Sequence, residues 1–337
     1  MKIDFKKLFQ AELAARPFCV LDIGARGGIK SEWKQLLPHI KVIGFEPDAV
    51  ECARLMASPP ESGSFYCYPK ALSSAPGESA FYTTKITGLS GLREPNQEFL
   101  SRFSKSNVAG FEVQNQSTLE VSPLDDVLST SDAAEIDFIK VDVEGCAYEV
   151  LSGAERLLRE SLVLGLRVEL EFNQKYKGQH LFSDVCSLLS RHGYELVQIK
   201  PCFWKYASGL KTGGAEGMLV HGDFFYFLSF PALLRKISKL SKEDAALKLY
   251  KLAVFSCIYG QYDRAFEIQK EAKAQNLWTE AQIGSIEQSL ETAKGLLARI
   301  PKLKEKGGIA EFFYYLFLVT GGILLWRFGL WEPSVRL

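Results

Sequence analysis

Phe18 to Pro47 reads FCVLDIGARGGIKSEWKQLLPHIKVIGFEP. Phe18 to Ile23 is a short apolar run, the pattern of a strand covered on both faces. Gly24, Gly27 and Gly28 follow at once, and glycine there permits positive φ and close approach of backbone to a ligand. A short helix and a second apolar strand complete the unit. Glu46 ends that second strand, 24 positions after Asp22. An acid at this place commonly hydrogen-bonds ribose hydroxyls. The glycines read GARGG rather than GxGxxG, so a dinucleotide fingerprint is missing. The carboxylate of Asp22, if aimed at the pocket, repels a pyrophosphate and suits a cationic ligand such as S-adenosylmethionine (SAM). This disfavours an NAD-linked oxidoreductase. A plain strand-to-helix turn with no ligand is the competing reading.

The chain has 337 residues, enough for a large domain with an appendage or for two domains. Lysine plus arginine equals aspartate plus glutamate, 40 against 40, which excludes a globally basic nucleic-acid binder. No nucleic-acid partner is therefore expected. Hydrophobic content of 47% is that of a folded chain. The seven cysteines form no CxxC pair and predict reduced thiols in a cytosolic protein. MKIDFKKLFQ has no apolar core and is not a secretory signal.

Along the chain, Asp4 to Ala15 predicts a leading helix, and Ser31 to Leu37 a helix closed by Pro38. Pro47 is placed at a first helical position before a helix from Asp48 to Ala57. Phe65 to Tyr68 is the third strand, which puts Ala71 and Leu72 on the same rim as the glycine turn. Ser79 to Thr83 is expected in a hairpin. Thr84 to Val121 is irregular and reads either as a lid over the site or as a β-excursion with a packing role.

The second informative stretch is IDFIKVDVEGCAYEVLSGAERLL, Ile136 to Leu158. A strand ends at Val141, Asp142 and Glu144 follow, and Ala147 to Leu158 has the apolar spacing of one amphipathic helix. Ligand groups in an open parallel sheet come from the carboxyl ends of strands, so these acids share an edge with Asp22 and Glu46. They are read as a base, as metal ligands or as helix caps. No metal-ligand motif supports the second option. Leu162 to Phe172 is a fifth strand carrying Glu169 near its end. His180 lies in the polar loop beyond it. Tyr194 to Ile199 is a strand, and His221-Gly222-Asp223 reads as a tight turn between two more. The order predicts a doubly wound α/β sheet with one antiparallel edge strand.

VLDIGARGG, GFEPD, KALSSAPGESAFY, LDDVL and FIKVDVEGCAYEVLSGA, in this order and spacing, resemble the FkbM family of SAM-dependent methyltransferases. The resemblance covers Phe18 to Phe230. It implies a class I methyltransferase (Rossmann-like) fold, SAM as cofactor, and methyl transfer to a hydroxyl oxygen of a sugar, lipid or related metabolite. By motif, Asp22, Gly24, Ala25 and Gly28 would line the methionine part of SAM. Glu46 and Pro47 would serve its ribose, and Ala71 and Leu72 its adenine. Asp142 and Glu144 would face the methyl group and the acceptor as catalytic residues, with Glu169 and His180 on the acceptor side. Arg26 stands where the family often has asparagine, and would point outward or reach the cofactor carboxylate. An inactive methyltransferase-like scaffold is the competing function.

The composition changes after Phe230. LAVFSCIYGQYDRAFEIQKEA, Leu252 to Ala272, is similar to a single tetratricopeptide hairpin, in which two helices pack through small residues. The expected division is therefore a methyltransferase domain over 1–230, a helical appendage over 231–300 that packs on the domain or on a protein partner, and an apolar tail over 301–337. In that tail, FFYYLFLVTGGILLW (Phe312 to Trp326) carries no charge. Counted through Leu330 it approaches the about 20 residues of a spanning helix. A membrane anchor, an interfacial helix and a buried segment all fit. The lysines before it would keep the catalytic part on the cytoplasmic side of the membrane.

Overall fold

The computed structural model describes residues 9–58, 62–210 and 217–294. Ten strands are described: β1 (Phe18–Ile23), β2 (Ile40–Phe45), β3 (Ser64–Tyr68), β4 (Ala71–Leu72), β5 (Gly77–Thr84), β6 (Val113–Ser122), β7 (Phe138–Val141), β8 (Gly165–Glu171), β9 (Tyr194–Trp204) and β10 (Met218–Leu228). The helices, in chain order, begin with α1 (Gln10–Ala15), α2 (Ala49–Ala57), α3 (Gln97–Leu100), α4 (Lys105–Val108), α5 (Leu124–Val127) and α6 (Thr130–Glu135). They continue with α7 (Ala147–Ser152), α8 (Glu155–Glu160), α9 (Phe182–Arg191), α10 (Phe230–Ile237), α11 (Lys242–Ile258), α12 (Tyr262–Ala274) and α13 (Glu280–Lys294).

Seven strands form the main sheet in the order β3-β2-β1-β7-β8-β10-β9. β1, β2, β3, β7 and β8 pair in parallel. All six residues of β1 and all four of β7 are buried, which is why these segments read as unbroken apolar runs. The chain winds outward from β1 through β2 and β3, then returns to place β7 on the other side of β1. The order reverses there, and the crevice outside the carboxyl ends of such a pair is where ligands bind in open α/β sheets.

β10 is antiparallel to both β8 and β9 and lies one strand in from the edge. His221 to Asp223 is not a turn, as the sequence suggested, but the middle of this strand. Two cross-strand pairs hold its polar residues: Asp223 accepts two hydrogen bonds from Arg167 at 2.9 Å, and His221 Nδ1 lies 3.4 Å from Glu169. The expected single helix over Ala147–Leu158 is two helices. Gly153 parts them because a Cβ there would meet the carbonyl oxygen of Ser73 at 2.2 Å. α2 starts after Pro47, with Asp48 as its cap: the Asp48 side chain accepts from the backbone of Val50 and Glu51. The hairpin expected at Ser79–Thr83 is β5 paired with β6 across the insertion, in a second sheet ordered β4-β6-β5. The insertion is anchored by Phe99, Phe103 and Phe111, which pack with Tyr176 and Trp204 in one apolar cluster.

The structure divides into two compact units, one spanning Phe9–Leu252 and another from Ala253 onward. The 230 boundary expected from composition falls inside the first. The second holds α12 and α13, which bury Ala265, Ile268, Ala272 and Ile283; Gln269 Nε2 donates to the Ile283 carbonyl at 3.2 Å. α11 and α12 are separated at Tyr259-Gly260, within the stretch read from the sequence as a helical hairpin. Among the described residues no helix is long and apolar enough to cross a membrane. The apolar run at Phe312–Trp326 lies outside them.

Candidate active site

A cavity of about 210 Å³ opens at the carboxyl ends of β1, β2 and β7, under the β4-β6-β5 sheet. Its floor includes Ile23, Gly24, Phe45 and Glu46; Asp142, Val143 and Glu144 form one wall. Ala71, Leu72 and Phe81 form another, and Thr87 to Leu92 bring the insertion over it. The glycine turn has a steric cause. Gly24 has φ 81°, and a Cβ there would lie 1.9 Å from the carbonyl oxygen of Asp142, so only glycine lets the first turn pass the β7 end.

Glu46 is buried at the end of β2. Its Oε1 accepts from the Asp48 backbone at 3.0 Å and from Arg26 at 3.4 Å, and its Oε2 has no hydrogen bond among the described residues. Burial raises its pKa. Arg26 lines the cavity rather than pointing outward. Its guanidinium turns back along the cavity, 2.6 Å from Asp48, and reaches Thr87 Oγ1 at 3.3 Å. It thereby links the glycine turn, the β2 acids and the insertion.

Asp22 overturns the electrostatic argument for a cationic ligand. Its carboxylate has no exposure, is not part of the cavity lining, and is met at 3.0 Å by the ammonium of Lys140, itself 1% exposed. Lys140 also pairs with Asp142 at 3.3 Å and donates to the Gly24 carbonyl at 3.1 Å. Lys140 ties together the ends of β1 and β7 from beneath. Burial raises the Asp22 pKa against the pull of that lysine. The acids lining the cavity, Glu46, Asp142 and Glu144, are matched by Arg26, Lys30 and Lys70.

Glu144 is the most constrained of the acids. It is 8% exposed and has φ 48°, a left-handed conformation that costs a non-glycine residue of order 1–3 kcal/mol. Its Oε2 accepts a short hydrogen bond from the Tyr176 hydroxyl and lies 3.3 Å from the Lys175 ammonium. Burial pushes its pKa up to about 7, against the opposing pull of Lys175 and Tyr176. No hydrogen bond to Oε1 is found among the described residues. Lys175 is buried among Glu144, Glu169 and Glu171, at 3.3, 3.3 and 3.1 Å.

The structure thus brings Gly24, Arg26, Glu46, Pro47, Ala71, Leu72, Asp142 and Glu144 to one cavity. Ala25 and Gly28 lie outside its lining. Ala25 is buried and bonds backbone to Phe45 at 3.0 Å, while Gly28 closes the turn onto the Ala25 carbonyl at 2.9 Å. Glu169 sits below the wall, paired with Lys175 and His221, its pKa lowered by both against burial. It comes within 4.8 Å of Asp142 and Glu144, carboxylate to carboxylate. His180 is not brought to the cavity. Its ring lies tilted against Tyr148, centroids 4.0 Å apart, and its side chain is 44% exposed. The sequence reading missed Lys140, Lys175 and Tyr176. A lysine inside the apolar run Phe138–Val141 was a usable signal, because a buried ammonium needs carboxylate partners.

The sheet order and the cavity at its switch point define a class I methyltransferase fold. The residues present fit SAM chemically: Glu46 offers a carboxylate oxygen without a partner among the described residues, Gly24 and Gly91 keep the backbone bare, and Leu72, Phe81 and Leu92 supply apolar surface for a purine. A sequence model of the methyltransferase FkbM domain matches residues 22–196, just over half of the chain. The protein belongs to this family, whose cofactor is SAM. Among solved structures it is similar to magnesium protoporphyrin IX methyltransferase from Synechocystis PCC 6803 with bound SAM. That match has 10% identity and a TM-score of 0.32, covering 65% of this chain and 76% of the other. It is also similar to a TehB-like SAM-dependent methyltransferase from Corynebacterium glutamicum, with 14% identity and a TM-score of 0.31, covering 68% and 89%. No curated protein matches the chain.

Proposed function

We propose that the protein methylates a hydroxyl oxygen of a small acceptor, such as a sugar, glycolipid or related metabolite, with Glu144 as the general base. The observation that carries this reading is the state of Glu144: in the cavity wall, fixed at Oε2 by Tyr176 and Lys175, with no hydrogen bond at Oε1 among the described residues and a pKa of about 7. A base poised near the working pH is the most useful one for taking a hydroxyl proton as a bond forms. Bound SAM supplies an electrophilic methyl group on a sulfonium. Glu46 Oε2 would accept from the ribose hydroxyls, with Pro47 beside it. Gly24 would let the methionine part approach the turn, and Ala71 and Leu72 would flank the adenine. Asp142, shared with Lys140, would face the sulfonium as a fixed negative charge. Oε1 of Glu144 would take the acceptor's proton. Every lining residue belongs to the Phe9–Leu252 unit, and the helices from Ala253 onward would serve packing or a protein partner.

The test uses the purified full chain with Glu144→Gln and Asp142→Asn, assayed separately for SAM binding by calorimetry and for methyl transfer to a panel of hydroxyl acceptors. Glu144→Gln should keep SAM binding and lose about 10²–10⁴ in turnover. Full turnover by both variants makes these acids structural. A second reading, an inactive scaffold, is favoured by Arg26, which lies against Glu46 and takes up part of the space beside it. Absence of SAM binding by the unmodified chain would establish that reading.

A further inference from the structure

On the opposite edge of the main sheet, where β8 and β9 begin, lies a second and larger hollow of about 1250 Å³. Its walls come from α6, the ends of α8 and α9, and α10 with the segment after it. Its lining is strongly cationic, with Glu160 as the single acid among the described residues. Several of the cations are already engaged. Arg159 pairs with Glu160 at 3.0 Å, Lys248 with Asp137 at 2.6 Å, and Arg156 bonds the Asp125 carbonyl. Arg191, Arg235 and Lys239 have no acidic or hydrogen-bonding side-chain partner among the described residues, and all three are exposed. Lys236 donates to the Leu158 and Ser161 carbonyls at 3.1 and 2.5 Å at the C-terminal end of α8. Burial, and then Lys239, push its pKa down to about 8. His192 is lowered too, by burial first, with Arg191, Arg159 and Lys236 acting against it and only Glu155 in its favour. Positive charge exceeds its acidic partners here, in a chain whose formal net charge is zero.

The surface between these cations mixes the hydroxyls of Thr130, Ser161, Ser190 and Ser238 with apolar side chains. Ala133, Ala134 and Leu240, the last 37% exposed, are accessible there, and Leu157, Leu162 and Ala232 are buried beneath. Among the described residues no aromatic ring other than the His192 imidazole lines the hollow, and stacking platforms of the kind that hold single-stranded nucleic acid are not found among them. A cationic rim over a partly apolar bed matches an amphiphile with an acidic head group. We propose that this groove binds the head group of an anionic phospholipid: Arg191, Arg235 and Lys239 would meet the phosphate, and the first methylenes of the chains would lie along Ala133, Ala134 and Leu240. The site is independent of the methyl-transfer cavity and holds whether or not Glu144 is a base.

Monomeric short-chain lipids test the groove without involving bilayer insertion by any other part of the chain. The full chain is titrated calorimetrically with dihexanoyl-phosphatidylglycerol, dihexanoyl-phosphatidylcholine, inorganic phosphate and a 12-nucleotide single-stranded DNA. The anionic lipid should bind, and the zwitterionic lipid should not. Arg191→Ser, Arg235→Ser and Lys239→Ser combined should weaken that binding by about 100-fold while SAM binding is retained as the check on folding. Should the triple variant fail to fold, Arg235→Ser alone is read, and a loss of about fivefold is expected. Lys239→Arg should bind as the unmodified chain does. Unchanged lipid binding in the serine variants overturns the proposal. So does inorganic phosphate binding as tightly as the lipid, which would leave a bare anion site, or DNA displacing the lipid at equal concentration.

Discussion

Glu144 is a carboxylate whose charge is contested. Burial disfavours its ionised form, and Lys175 and Tyr176 favour it, with about 7 as the outcome. A base must be deprotonated to act, so turnover should rise as pH climbs through about 7 and level off above. Tyr176→Phe removes one group that lowers this pKa, and Lys175→Met removes the stronger one. Both should move the rising limb to higher pH, Lys175→Met further, and turnover at pH 7 should fall about tenfold or more. A pH–rate profile for each variant checks this; loss of rate with an unmoved limb would assign both residues a purely structural part. Asp22 leads to a different expectation. Removing its charge leaves Lys140 buried with Asp142 alone, so Asp22→Asn should cost about 3–5 kcal/mol of stability, measured by urea unfolding. The position of Asp22 was legible from the strand–turn pattern, but its electrostatic duty was not. Its partner Lys140 is 118 residues away, and only the pairing of β1 with β7 brings them together. Tyr176 and Lys175 carried no sequence signal, because their loop meets Glu144 only through the tertiary fold.

The elements that decide the site were the most readable: β1, β2 and β7 are fully buried or nearly so, and burial on both faces leaves a distinct apolar run, while the turn after β1 is marked by its glycines. The failures came where a long-range contact overrides local pattern. His221-Gly222-Asp223 has turn chemistry, yet partners on β8 hold it in a strand. The spacing of Ala147–Leu158 is continuously helical, yet the chain breaks at Gly153 to admit the Ser73 carbonyl. That break fixes α7 against the segment that follows β4, whose Ala71 and Leu72 line the cavity. Gly153→Ala should therefore destabilise the protein even though alanine is the better helix former. An overlap at 2.2 Å involves backbone on both sides and cannot be relieved by a rotamer change. A loss of about 2 kcal/mol or more is expected on urea unfolding, where propensity alone predicts a gain of about 1 kcal/mol. A more stable variant would refute the steric account of the break.

The division of the molecule into two units gives cofactor binding a signature of its own. A ligand that binds only the folded state stabilises it by RT ln(1 + [L]/Kd), about 2.7 kcal/mol at a hundredfold excess over Kd. All residues lining the cavity lie between Ile23 and Cys146, inside the Phe9–Leu252 unit. For a unit of that size the added stability corresponds to a rise in Tm of about 5–10 °C. If the two units melt separately, the transition of the larger one should move with SAM and that of the helical unit should stay in place; if they melt together, the single transition should move by a smaller amount. Glu46→Ala removes the one lining carboxylate at the end of β2, and with it the proposed ribose contact, so the SAM-dependent rise should shrink while the Tm without ligand changes little. Calorimetric scans of the unmodified chain and of this variant, with and without SAM, distinguish a cofactor held at the β2 end from one held elsewhere. An undiminished rise in Glu46→Ala would move the cofactor away from the switch point between β1 and β7, and the assignment of Glu144 to the acceptor side would have to be given up with it.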